Sequence, residues 1–545
     1  MSSLRLPQMA RVAFVLCCTL SPVLASAQVS RHIEVRLDAA AMQAHASGRL
    51  LVFAMPAGKA EAAAKDGKVD AVNASAMAPE AVTIAAMEVP LLASGASVLL
   101  DADVLAFPQP FSQLPAGDYY LQAILDTNHD YNYGGRGAGD IVSEPTKVRL
   151  SKNGRIPTLE LTRVLAEQAD PWAVPEDATV EVREARAAAH AQTETLDFIS
   201  PALSAFWGRD IHMRGWVLVP PGYADAKATR YPTAYFTHGY GGNLPSLAKI
   251  AMYVATAMRE GSMPPMIWVF LDGSSATGTH EFADSVNNGP WGRALTTELI
   301  PSLEARYRMD GKASGRFLNG HSSGGWATLW LQVTYPKVFG GTWSTAPDPS
   351  DFHEFTGPDL YAPNANVYRK PDGSAWPIAR EKGEMTTTFE QYARQEQVQG
   401  EYGGQMSSFE WVFSPRGPDG RPMPMFDRAT GDVDPAVVAY WREHYDIVHT
   451  LQTQWPVLKR DLDGKIHVIV GDADTFYLDG AARLLKAALE GLGAKAEVRF
   501  LPGKTHFDLG TEGDDKRALM KKIAWEMYAV ARPGSKPTAV AANAK

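Results

Sequence analysis

Cysteine is all but missing from this chain. Its 545 residues hold two, the adjacent Cys17 and Cys18, inside an apolar run near the N-terminus. Leu16 stands before Cys17, so the small residues that precede a lipid-acceptor cysteine are lacking. From Gln28 onward there is none, which excludes disulfides, thiolate metal sites and cysteine nucleophiles from that part. A Lys/Arg-rich block is also lacking. The formal charge is −9, and −11 once Arg5 and Arg11 are set aside. Both facts argue against a nucleic-acid partner and against an anionic membrane surface. Beyond the N-terminus no apolar run reaches the roughly 18 residues of a membrane span.

What the N-terminus does hold is a positive start, Arg5 and Arg11, an apolar run from Val12 to Leu20, and the small residues Ala25-Ser26-Ala27. That order predicts a secretory signal peptide over residues 1–27 and a periplasmic or secreted protein. The roughly 518 residues that remain exceed one ordinary core and predict two domains.

Residues 28–165 read as a β-sandwich-like domain. Ile33-Glu34-Val35-Arg36-Leu37 and Thr146-Lys147-Val148-Arg149-Leu150 alternate apolar with polar, and Gly, Pro, Asn and Asp punctuate the gaps. An Ala-rich stretch near 59–87 is expected as a loop or an excursion with some helix. Residues 166–192 read as a linker with some helical character. From 193 to 532 strand-like runs alternate with longer helix-like ones: Thr233–Thr237, Met266–Leu271 and Lys465–Val470 as buried strands, Thr296–Arg308 and 478–492 as helices. This is the pattern of an α/β domain with a mostly parallel sheet. The segment 348–455, rich in Pro-Gly turns and aromatics, breaks the rhythm and is expected as a lid or inserted subdomain. Residues 533–545 are expected as a disordered tail.

The chemistry centres on Gly320-His321-Ser322-Ser323-Gly324. A short apolar segment precedes it and a helix-like run follows. Small residues on both sides of a serine permit the sharp strand-to-helix turn that lifts the hydroxyl out of the sheet edge. A serine needs a base, and that base needs an orienting acid. Among the histidines after Ser322, His467 lies mid-strand, and His353, His444 and His449 lie in or beside the insertion. His506 follows the last strand and a Pro502-Gly503 turn, where a base belongs. Gly471-Asp472-Ala473-Asp474 follows the preceding strand and offers two acids. Asp474 is favoured because the turn needs room before a side chain reaches back, and Asp472 is kept as the alternative. Ser323 N–H is one expected oxyanion donor. The loop His238-Gly239-Tyr240-Gly241-Gly242 suggests Tyr240 N–H as the second, with a plain glycine turn as the alternative.

Asp126-Thr127-Asn128-His129-Asp130-Tyr131-Asn132 spaces oxygens as calcium loops do, but Gly137 stands where a closing glutamate belongs. It is read as a polar turn. The insertion's aromatics, such as Trp376, Trp411 and Trp441, are read as its own core rather than a cleft lining.

Pro220-Pro221-Gly222-Tyr223, His238 to Gly242, Leu271-Asp272, Glu298-Leu299-Ile300-Pro301, Gly320 to Gly325 and His506 together resemble the esterase D / putative esterase group of α/β-hydrolases. The resemblance covers about 195–345 and 460–530. It implies an α/β-hydrolase fold, with Ser322, Asp474 and His506 as triad and Tyr240 and Ser323 at the oxyanion hole. The expected activity is hydrolysis of carboxylic esters of carbohydrate, phenolic or siderophore type, without metal or cofactor. The expected partner is a small-molecule or carbohydrate-linked ester. An acyltransferase, a peptidase and a non-catalytic binding protein are the other readings of the same fold.

Overall fold

The computed structural model describes residues 31–535, except 43, 65, 152–153, 168–169 and 175–176. The expected signal peptide, 1–27, lies outside the described residues, as does the expected tail from 536 on. Among the described residues no helix is long and apolar enough to cross a membrane.

The N-terminal part is a nine-stranded sheet. Its order is Ser97–Asp101, His32–Leu37, Leu159–Val164, Ile141–Ser143, Gly117–Asp126, His45–Pro56, Thr83–Ala93 and Ala106–Phe107, with Thr146–Leu150 paired beside Gly117–Asp126. The alternation of a strand decides which side chains meet. Leu50, Val52 and Ala54 join Ile33, Val35, Leu121 and Ala123 in one apolar cluster. Leu51 and Phe53 point the other way and join Ile84, Ile124 and Val398. The Ala-rich stretch holds a short helix, Ala57–Ala63, but its end is strand: Thr83 begins the eleven-residue Thr83–Ala93. Alanine's helix propensity is overridden there by pairing with His45–Pro56. In the expected linker, Val180–Ala191 is a helix capped by the Thr179 side chain.

A second sheet of eight strands follows: β1 Thr193–Ile199, β2 His212–Leu218, β3 Thr233–Thr237, β4 Ile267–Leu271, β5 Arg316–His321, β6 Gly341–Thr345, β7 Ile466–Gly471 and β8 Ala496–Leu501. Their order is β1-β2-β4-β3-β5-β6-β7-β8. The pairs β1–β2 and β2–β4 are antiparallel. All the others are parallel. β3, β4 and β6 are buried along their whole length, as strands covered on both faces must be. The helices that matter below are α1 Leu244–Arg259, α2 Ser323–Thr334, α3 Phe389–Gln399, α4 Gln405–Phe413, α5 Leu478–Gly491 and α6 Ala518–Ala531.

The helix expected over Thr296–Arg308 starts earlier and ends sooner. It runs Trp291–Ala294, widens to a π-turn at Leu295–Leu299 and continues as Ile300–Arg306. The π-turn comes just before Pro301, which has no N–H to give to a regular helix.

The segment 348–455 stands between β6 and β7. Its aromatics Phe352, Phe355, Phe413 and Trp441 form one buried cluster with Trp326 and Trp330 of α2. Trp326 and Phe413 lie 4.8 Å apart between ring centroids. The reading of these aromatics as core therefore holds for Trp441, which is fully buried. The insertion is also fastened to the N-terminal sheet. Buried Arg49 donates to the carbonyls of Val398 and Gln397 at 3.0 and 2.9 Å. Asn132 Nδ2 donates to those of Glu396 and Gly400 at 3.0 and 2.7 Å, and Thr387 Oγ1 to that of Ala76 at 2.8 Å.

Candidate active site

Parallel strands all end on one edge, and loops leaving that edge converge. Here β3 ends at Thr237 and leads into His238-Gly239-Tyr240. β5 ends at His321 and leads into Ser322. β6 leads to Asp348, β7 to Asp474, and the loop after β8 carries His506. In register, Thr237 pairs with Gly320 and His321 with Thr345, so these loop starts lie side by side.

Ser322 has φ 60° and ψ −127°, a conformation that L-residues rarely adopt. It sits between the end of β5 and the start of α2. The flanking glycines are required by close approach: a Cβ on Gly320 would lie 2.1 Å from the Gly324 carbonyl oxygen, and one on Gly324 would lie 2.5 Å from that of His238. α2 is buried over Ser323–Val333, so the whole turn is held from behind.

Of the two candidate acids, Asp474 is the one beside His506: its Oδ2 lies 2.9 Å from His506 Nδ1. Asp474 is fully buried and His506 is 4% exposed. The other Asp474 oxygen accepts from the amides of Phe476 and Leu478 at 2.9 and 3.3 Å. Burial works to raise this carboxyl, but the His506 bond and these amides outweigh it and hold it below the usual carboxylate range. Asp472 is exposed and accepts from the Gly503 amide at 2.7 Å, within the turn that leads to His506.

Ser322 and His506 line one cavity of about 350 Å³, together with Gly239, Tyr240, His321 and Asp348. Its aromatic lining comes from Tyr392 of α3, Phe409 of α4, Phe476 and Phe507. Gly239 presses on the serine: a Cβ there would lie 2.8 Å from Ser322 Cβ. The Tyr240 ring is packed edge-on against Tyr133 at 5.1 Å. Tyr133 donates its hydroxyl to the Gly242 carbonyl at 2.9 Å. His238, at the head of this loop, donates from Nδ1 to the Gly239 carbonyl at 2.7 Å, and its Nε2 lies 2.9 Å from Asp272 Oδ1.

Two side chains at this centre escape a reading by motif. Asp348 is 3% exposed and accepts from Ser323 Oγ at 2.6 Å. Its amide donates to the Ser322 carbonyl at 3.3 Å. Burial pushes its carboxyl up to about 6, against hydrogen bonds from the Ser323 and Ser322 hydroxyls. Nearby Glu281 is 1% exposed, and burial together with Asp348 pushes its carboxyl well above the usual range. His321 packs on His506 at 4.5 Å between ring centroids, and burial pushes it down to about 3, so it is neutral. Asp348 follows Ala346-Pro347 and precedes Pro349, a stretch with no periodicity to flag it.

Away from this centre, Asp126, Asp130 and Asp140 bring one carboxylate oxygen each within 4.8 Å of one another. Asp126 and Asp140 accept from the backbone amides of Tyr131 and Gly137, as a polar turn requires. Burial pushes the Asp140 carboxyl up to about 6.

Residues 204–418 match the family model described as "Putative esterase". An endo-1,4-beta-xylanase/feruloyl esterase of Xylanibacter ruminicola is 26% identical over 130 residues, 23% of this chain. That match spans only 18% of the relative's length. Among solved structures, a ferulic acid esterase is 14% identical, with 62% of this chain covering 97% of it at a TM-score of 0.37. An S-formylglutathione hydrolase from Agrobacterium tumefaciens is also 14% identical, with 62% and 94% covered at a TM-score of 0.33. The segment that resembles the putative esterase family, 204–418, contains the Tyr240 loop, Ser322 and Asp348.

Proposed function

We propose that this chain is an exported serine esterase that hydrolyses carboxylic esters through an acyl-enzyme. The observation that carries the reading is the Asp474–His506 pair at 2.9 Å, in one cavity with a serine held at positive φ. Ser322 Oγ attacks the ester carbonyl while His506 takes its proton. Asp474, kept ionised, orients the imidazole and stabilises its positive form. The amides of Ser323 and Tyr240 receive the oxyanion. His506 returns the proton to the leaving alcohol as the C–O bond breaks. Water, activated by the same histidine, then releases the acid and frees Ser322.

Substrate choice follows the cavity. Tyr392, Phe409, Phe476 and Phe507 line it, which supports an aryl or other flat acyl group. The division into 28–165, a linker 166–192 and a catalytic part 193–532 with insertion 348–455 belongs to the same proposal, as does export through residues 1–27. A fluorophosphonate probe tests the reading. It labels the wild type and fails on Ser322→Ala, and that variant loses turnover of aryl esters. Equal labelling of both proteins, or unchanged turnover in the variant, sinks the assignment.

A further inference from the structure

A second cavity, of about 260 Å³, adjoins the first at His321 and His506. It shares Gly239, His321, His506 and Phe507 with the first. Ser322 lines the first cavity and not the second, and His506 lines both. An ester has two halves, joined at the carbonyl that Ser322 attacks. With the acyl half among the aromatic side chains, the alcohol oxygen must lie within reach of His506, which returns the proton to it.

That cavity is apolar on one side, with Phe236, Ile250 and Ile523, and cationic on the other, with Arg517 and Lys516. Arg517 is half-buried. Its guanidinium lies 5.6 Å from the Tyr253 ring centroid. Among the described residues it has no carboxylate within ion-pair distance and makes no side-chain hydrogen bond. The nearest acid is already engaged: Asp515 pairs with Lys521 at 2.8 Å and accepts from the Tyr253 hydroxyl at 3.1 Å. A half-buried guanidinium with no acceptor on the protein is a ready partner for a bound anion. Burial pulls the Arg517 guanidinium below its usual range, against the opposing pull of Tyr253 and Asp515. The two cavities also differ in charge, with Asp348 in the first and Arg517 in the second.

We propose that the second cavity is the leaving-group subsite, and that Arg517 selects esters whose alcohol half carries a carboxylate or phosphate. This rests on the serine-esterase reading for its chemistry. Ser322 Oγ bonds to the acyl carbon, the carbon–alcohol oxygen bond breaks, His506 protonates the departing oxygen, and the anion stays on Arg517 until the alcohol leaves. Lys516 is exposed and adds field at the mouth rather than a fixed contact.

The test compares 3-acetoxybenzoate with its neutral methyl ester, both releasing a phenol as the acetyl-enzyme forms. In the wild type kcat/KM favours the carboxylate by about tenfold or more, as one charge-assisted pair supplies. Arg517→Met brings the ratio to within twofold of unity, Arg517→Lys keeps part of it, and salt lowers it in the wild type. A wild-type ratio within twofold of unity, or one unchanged by Arg517→Met or, should that variant not fold, by Arg517→Lys, overturns the subsite. A phosphate-bearing phenyl acetate run beside them tells which anion is preferred. If neither ester turns over, the esterase reading fails first. Calorimetry of 3-hydroxybenzoate then still decides the subsite: binding weakened at least fivefold in either Arg517 variant supports it, and equal binding overturns it.

Discussion

The Tyr240 hydroxyl donates to the main-chain carbonyl of Asn132 at 2.8 Å and also lies 2.6 Å from that of Gly403. The loop expected to supply an oxyanion amide is thus pinned by the N-terminal part of the chain and by the insertion at once. Tyr240→Phe removes the pin and takes the only hydroxyl proton from between the two part-buried carbonyls, at a cost of about 1–2 kcal/mol. It is expected to lower kcat about tenfold through loss of alignment, with a smaller change in KM. Steady-state kinetics on an aryl acetate, with a urea titration of the same variant, measure both. An unchanged kcat removes the loop from the catalytic machinery.

The two candidate acids separate by kinetics. Asp474→Asn takes the charge from beside His506 and is expected to lower kcat by roughly 10³–10⁴. Asp472→Asn keeps an oxygen for the Gly503 amide and is expected to leave kcat within about threefold. Equal losses in both variants contradict the assignment.

The Ser322 position stores strain. A glycine accepts the observed φ of 60° without steric cost. Ser322→Gly is expected to be inactive and more stable than the wild type by about 1 kcal/mol. Thermal and denaturant midpoints read this directly, and a lower midpoint contradicts it.

Asp348 links stability to pH. Its ordinary value is 3.8 and the folded value is about 6. Between those values the folded chain holds a proton that the unfolded chain has lost. Stability therefore falls as pH rises through that window, by up to roughly 2–3 kcal/mol from this group. Asp348→Asn has no such loss, so the stability of the variant relative to the wild type is expected to rise between pH 4 and pH 6.5. Parallel urea titrations across that range test it, and a constant difference refutes it.

Much of this was legible in the residue order. Strands β3, β4 and β7 are continuous apolar runs because both faces are covered, and such runs announce themselves. The interval from Asp474 to His506 holds one helix and one strand, α5 and β8, which is why their spacing alone puts the two loops together. The rest depends on contacts distant in sequence. Nothing near Tyr133 says that it braces the loop of Tyr240, because the pairing is made by the fold. Asp348 sits between prolines with no periodic neighbour, and Arg517 looks like any surface arginine until the cavity beside it is seen. The π-turn at Leu295–Leu299 preserves the apolar spacing of an ordinary helix and so leaves no mark on the pattern.

The fastening of α3 to the N-terminal strands has a consequence for inheritance. Arg49 and Asn132 grip the main chain of residues 396–400, and Val398 is buried among the strands' own side chains. The roof over Ser322 is therefore shared property of two stretches of sequence whose contacts join residues 264 to 349 positions apart. A relative's insertion grafted alone arrives without its other half. Recombination that preserves function has to carry the N-terminal strands and the 348–455 segment as one cassette.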